Sequence, residues 1–172
     1  MVKRISILLL MIMIITSILS WIHLSVVTIR HQRTGELIWS FHPNNGVFSI
    51  QWMHSVELEQ WRETFQITDD GNIKLIESRF RAWGAGVPEH EGKVFYRDED
   101  WFVMKEFENR TFEQLTISVS CYANHRIIDH SKKYKMCDWV EDNTSVVIQN
   151  EELSVLAYFY HLIFKEVSIW KK

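Results

Sequence analysis

A period of two runs through the middle of this chain. From Val47 to His54, the residues Phe48, Ile50, Trp52 and His54 fall on one side, with Ser49 and Gln51 on the other. That is the pattern of a half-buried strand. Trp61 to Thr68 repeats it, with Trp61, Glu63, Phe65 and Ile67 in phase. Asp69-Asp70-Gly71-Asn72 then turns the chain into Ile73 to Ala82, and Pro43-Asn44-Asn45-Gly46 supplies a turn upstream. Leu24 to Ile29 and Glu36 to Phe41 flank Thr34-Gly35 as a hairpin. Val94 to Arg97, Trp101 to Phe107, Leu115 to Tyr122, His125 to His130 and Thr144 to Gln149 are further strands. Short strands at this spacing predict an all-β fold, an antiparallel β-sandwich or a partly open barrel, in place of alternating β–α units.

Both ends depart from that pattern. Ile5 to Val27 reads ISILLLMIMIITSILSWIHLSVV without a formal charge, and about 20 apolar residues suffice to span a bilayer as a helix. Ser20, Trp21, Ile22 and His23 leave the run without the small-residue site of a cleaved signal, so an uncleaved anchor is expected. Lys3 and Arg4 before it favour a cytoplasmic N-terminus, against the weaker pull of Arg30 and Arg33. The expected localisation is therefore a single-pass protein of the cell membrane with its bulk extracytoplasmic. At the other end, Asn150 is placed to cap a helix opened by Glu151 and Glu152, and Ser154 to Trp170 is apolar nearly all round. The organisation reads as an anchor over 1–23, a β domain over 24–150 and an apolar, helical extension over 151–172.

Composition narrows the function. A net charge of -3 in 172 residues offers no basic stripe for phosphates, so nucleic acid is not an expected partner. Two cysteines, Cys121 and Cys137, are too few for a four-thiolate metal site. Outside the cytoplasm they would pair, closing a loop of about 15 residues worth about 3 kcal/mol; two buried free thiols stand level with that reading. The glycine-bearing segment Trp83 to Gly92 has neither the phosphate-loop nor the dinucleotide fingerprint, and no cofactor is expected. No G-x-S-x-G elbow occurs. Ser55 follows His54 directly, so on a strand the two would face apart.

A tight turn at Asp69–Asn72 would set Ile67 opposite Ile73, Phe65 opposite Leu75 and Glu63 opposite Glu77. With His54 in phase, a row His54–Glu63–Glu77 would then lie at the edge of the core, near Arg79. An imidazole and two carboxylates suit a divalent metal or an activated water; the bland alternative is a buried network in which Arg79 and His54 offset the acids. Glu89, His90 and Glu91 add donors on the glycine loop. A metal-dependent envelope enzyme using His54, Glu63, Glu77 and His90 is thus one candidate. An envelope assembly factor working through Leu153 to Lys172 is another.

His54-Ser55-Val56-Glu57, then Trp61-Arg62-Glu63-Thr64-Phe65, then Gly84-Ala85-Gly86-Val87-Pro88 stand in an order that resembles the bacterial domain-of-unknown-function family 1850. The resemblance runs from about Val26 to Gln149, and His54, Ser55, Glu63, Gly84, Gly86 and Pro88 match the family pattern. It implies an envelope-side accessory domain of a secondary transporter of the tripartite ATP-independent periplasmic type, in the branch that uses TAXI solute receptors. The implied partners are the membrane and a permease or solute-receptor protein. The expected binding surface combines His54, Ser55, Glu63, Glu77 and Arg79 with Gly84, Gly86, Pro88 and His90.

Overall fold

A computed structural model describes residues 2–84 and 92–169. The chain opens with α1 (Val2–Trp21), continues after Ile22 into β1 (His23–His31) and turns into β2 (Leu37–Phe41). Then follow β3 (Val47–Met53), β4 (Gln60–Ile67), β5 (Ile73–Phe80), β6 (Gly92–Asp98), β7 (Trp101–Phe107) and the short β8 (Thr111–Phe112). The last elements are β9 (Gln114–Val119), β10 (Arg126–Asp129), β11 (Lys132–Lys135), β12 (Thr144–Ser154) and α2 (Val155–Ile169). Over Lys3–Trp21 the mean hydropathy of α1 is 2.1 with none of it buried, so it is long and apolar enough to cross a membrane.

The expected all-β fold is what forms. A four-stranded sheet, in the order β2-β1-β12-β9, faces a larger one in the order β11-β10-β3-β4-β5-β7-β6, with β8 paired to β5. The described pairings are antiparallel, as in a β-sandwich. Alternation puts Phe48, Ile50 and Phe65 of the large sheet against Val27, Ile29, Val146 and Ile148 of the small one. Rings also join the two layers: Phe41 of β2 meets Phe48 edge-on at 5.9 Å, and Trp39 lies 4.6 Å from Tyr134 of β11. The small sheet therefore sits over the β11–β10–β3 side of the large one, with β9 as its far edge.

The turn at Asn44–Gly46 is a short 3-10 segment in which Asn45 and Gly46 both take positive φ, 53° and 69°. Gly46 has little choice: a Cβ there would stand 2.9 Å from Gln66 Nε2.

Two expectations are corrected. Ile67 does face Ile73 and Phe65 does face Leu75, but Ile76 is then a bulge, so Glu77 pairs with Thr64 and Glu63 with Ser78. The cause is a change of parity in what must be buried. Ile73 and Leu75 are inward at odd positions and Phe80 at an even one, all 6% exposed or less, and one extra residue between them reconciles the two. The helix expected from Asn150 starts later. β12 pairs with β1 from His31↔Val146 to His23↔Ser154, so Asn150, Glu151 and Glu152 are strand residues. Ser154 performs the capping, accepting the Ala157 N–H at Oγ (3.2 Å). The 150/151 boundary consequently falls inside β12. Cys121 and Cys137 are joined in a disulfide.

Candidate functional site

The pairing of β3 with β4 sets Phe48 beside Phe65, Ile50 beside Glu63 and Trp52 beside Trp61 on the inner face. β10 continues the layer, with Ile127 opposite Ile50, and His125 stacks on Trp52 at 6.2 Å. Trp52 stacks in turn on Trp61 at 6.0 Å, and Trp61 is flanked by His54 at 5.4 Å and Phe80 at 4.9 Å. The result is a row of rings with one carboxylate, Glu63, set between Trp61 and Phe65 along β4.

Two open recesses meet over this row. One, of about 510 Å³, has Ile50, Glu63 and Phe65 as its floor and residues 114–118 of β9 as a wall. The other, of about 540 Å³, lies among His54, Ser55, Trp61 and the turn bearing Tyr122. Trp52, Glu63 and His125 belong to both, so the recesses form one cleft. Burial pushes the His125 imidazole below the ordinary histidine range, against a smaller opposing effect of its bond with Ser120. Its Nδ1 lies 3.0 Å from the Ser120 N–H and 3.2 Å from the Ser120 carbonyl. The arrangement offers flat apolar surface for stacking, with two imidazoles, His54 and His125, and one acid, Glu63, for polar contacts.

The expected residues divide between two faces. His54, Ser55 and Glu63 come together in the cleft. His54 is the first residue after β3; its Nδ1 faces the Glu57 N–H at 3.4 Å in the turn 54–58. Gly84 packs against that turn, where a Cβ would displace the flexible Glu57 carboxylate. Glu77 and Arg79 are not in the cleft. The Ile76 bulge turns Glu77 to the outer face, where it accepts from Arg79 Nε at 2.6 Å and pairs with Lys105 Nζ at 3.1 Å. Burial would raise the Glu77 pKa, but the bonds to Arg79 and Lys105 outweigh it and hold the carboxyl below its usual range. Arg79 also bonds Asp98 at 3.0 Å. The row His54–Glu63–Glu77 is therefore not assembled, and among the described residues no group of three His, Cys, Asp or Glu could hold a metal. Gly86, Pro88 and His90 lie outside the described residues.

Neither His125 nor Trp52 is among the residues that the sequence singles out for binding. The phase of His125 with Ile127 is a local signal, but its place in the cleft depends on β10 pairing with the distant β3.

These features define a β-sandwich domain carrying an N-terminal apolar helix and an open aromatic cleft. Residues 48–136 match the Domain of unknown function (DUF1850) family, and the chain belongs to it. No curated protein and no solved structure shows a significant match. The matched residues run from β3 to Met136, so they include the cleft floor and β9 but not α1, β1, β2, β12 or α2.

Proposed function

We propose that this protein is a single-pass membrane-anchored domain, its bulk extracytoplasmic, that binds part of another protein in the cleft over Trp52, Glu63 and His125. The carrying observation is the cleft itself: stacked rings, one acid and two imidazoles suit the recognition of another protein's surface. The length and apolarity of α1 support the anchor, and the Cys121–Cys137 disulfide fits an oxidising compartment. α2 supports a position close to the bilayer. Its exposed Leu156, Phe159, Tyr160 and Ile163 recur at helical spacing on one face, and its first N–H, of Val155, donates to the Ile22 carbonyl at 2.8 Å, where α1 ends. The partner that the family resemblance favours is a permease or solute receptor of the tripartite ATP-independent periplasmic type.

Mild crosslinking in native membranes, followed by purification and mass spectrometry, tests the partner. A multi-span permease or a solute receptor near stoichiometry is the expected result; neither, from well-solubilised membranes, overturns the transporter role. An impermeant amine reagent on intact cells tests the side. Labelling of Lys132 and Lys133 is expected, and labelling only after lysis places the domain in the cytoplasm.

A further inference from the structure

Among the described strands, β8 is kept to two residues, and each longer sheet edge but one is guarded. Unpaired edge strands template pairing with other chains, and proteins blunt them with charge, proline, bulges or cover. β11 at one end of the large sheet carries Lys132, Lys133 and Lys135, and β6 at the other carries Lys93, Arg97 and Asp98. β2, an edge of the small sheet, has a register shift against β1 and lies beside α2. β9 is the fourth edge. Its residues, QLTISV, include no charge and no proline, and it keeps unbroken register with β12 over six positions.

The free side of β9 also faces the cleft. Residues 114 to 118 line it consecutively; because successive side chains alternate faces, what fronts the cleft is the backbone edge. The direction of its polar groups follows from two bonds. The Val119 carbonyl accepts the Asn143 N–H on the β12 side at 2.7 Å, and the Ser120 N–H points the other way, to His125. Backbone polarity alternates along a strand, so Gln114, Thr116 and Ser118 direct N–H and C=O into the cleft.

We infer that β9 accepts an extended peptide segment of a partner protein as an added strand, lying over Ile50, Glu63 and Phe65. This rests on the binding reading above and names the chemistry of what binds: about six residues, roughly 20 Å of strand, with alternate apolar side chains facing the rings of the cleft floor. Main-chain bonds to Gln114, Thr116 and Ser118 supply affinity, and the cleft floor supplies selectivity. A second copy of this chain is a poorer fit, because its own β9 would bring a whole four-stranded sheet into the cleft.

The test pans a phage-displayed library of random octapeptides against the full chain in detergent micelles, beside Thr116→Pro and Thr116→Lys. Proline is tolerated on an edge strand where its N–H would face outward, so Thr116→Pro should keep the wild-type melting midpoint; Thr116→Lys is the second variant should it not. Expected are peptides of alternating apolar residues, binding at least tenfold more weakly to either variant. Peptides that bind wild type and both variants equally overturn the edge assignment while leaving the binding reading intact, as would a crosslinked membrane partner recovered undiminished with Thr116→Lys. No enriched peptide also overturns it. A concentration-dependent dimer abolished by Thr116→Pro would show that the edge pairs with itself, contrary to the inference.

Discussion

Protonation of His125, in the cleft, works against folding. In the native state burial disfavours its charged form, whereas in the unfolded chain it titrates near the ordinary value of about 6.5. The unfolded state therefore takes up a proton that the folded state resists, and stability contributed by the neutral ring is full above about pH 6.5 and eroded as pH falls below it. Denaturant midpoints measured at pH 7.5, 6.5 and 5.5 should fall more steeply for wild type than for His125→Gln. Parallel curves would contradict this. Glu77 and Glu151 act at lower pH. Each is held below its usual pKa against the opposing effect of burial, Glu77 by Arg79 and Lys105 and Glu151 by Arg30 at 2.7 Å. Their contributions are present above the carboxylate range and lost on descent through it. His54 and Glu63 were legible as a pair because phase along adjoining strands is local information. The misplacement of Glu77 followed from assuming an unbroken ladder, although Leu75 and Phe80, both apolar and of opposite parity, already called for a bulge.

At the level of elements, strands joined by tight turns were readable and those recruited from a distance were not. β3, β4 and β5 follow from alternation, with glycine-bearing turns before β3 and between β4 and β5, whereas β12 runs to Ser154 because nine residues of β1 lie beside it. That partner, not local propensity, moves the start of α2 past the acidic pair. Ser154→Ala should cost about 1 kcal/mol through loss of the cap, read as a lowered urea midpoint, and Asn150→Ala should leave α2 unchanged in helical circular dichroism. The disulfide links the turn after β9 to the 3-10 segment after β11, closing the end of the cleft near His125. Cys121→Ser with Cys137→Ser should lower stability by about 3 kcal/mol at neutral pH; a loss within error would mean that the strand pairings alone hold that end.

On the scale of the molecule, the apolar helix α1 and the β domain are joined without slack. Ile22 alone lies between α1 and β1, and the Val155 N–H ties the start of α2 to the same carbonyl. Inserting eight glycine and serine residues between Trp21 and Ile22 should leave retention in the membrane fraction unchanged while reducing partner crosslinking several-fold. Undiminished crosslinking would show that the height of the cleft is immaterial. A module on a long flexible tether samples a hemisphere of solution and can capture soluble targets at a distance. If α1 is embedded in a bilayer, as proposed, the short joint collapses the search volume to a thin layer, and the cleft moves only as fast as its helix drifts sideways in the lipid. Encounters then become a two-dimensional problem, in which the rate is set by lateral diffusion and by how many partners share the same membrane.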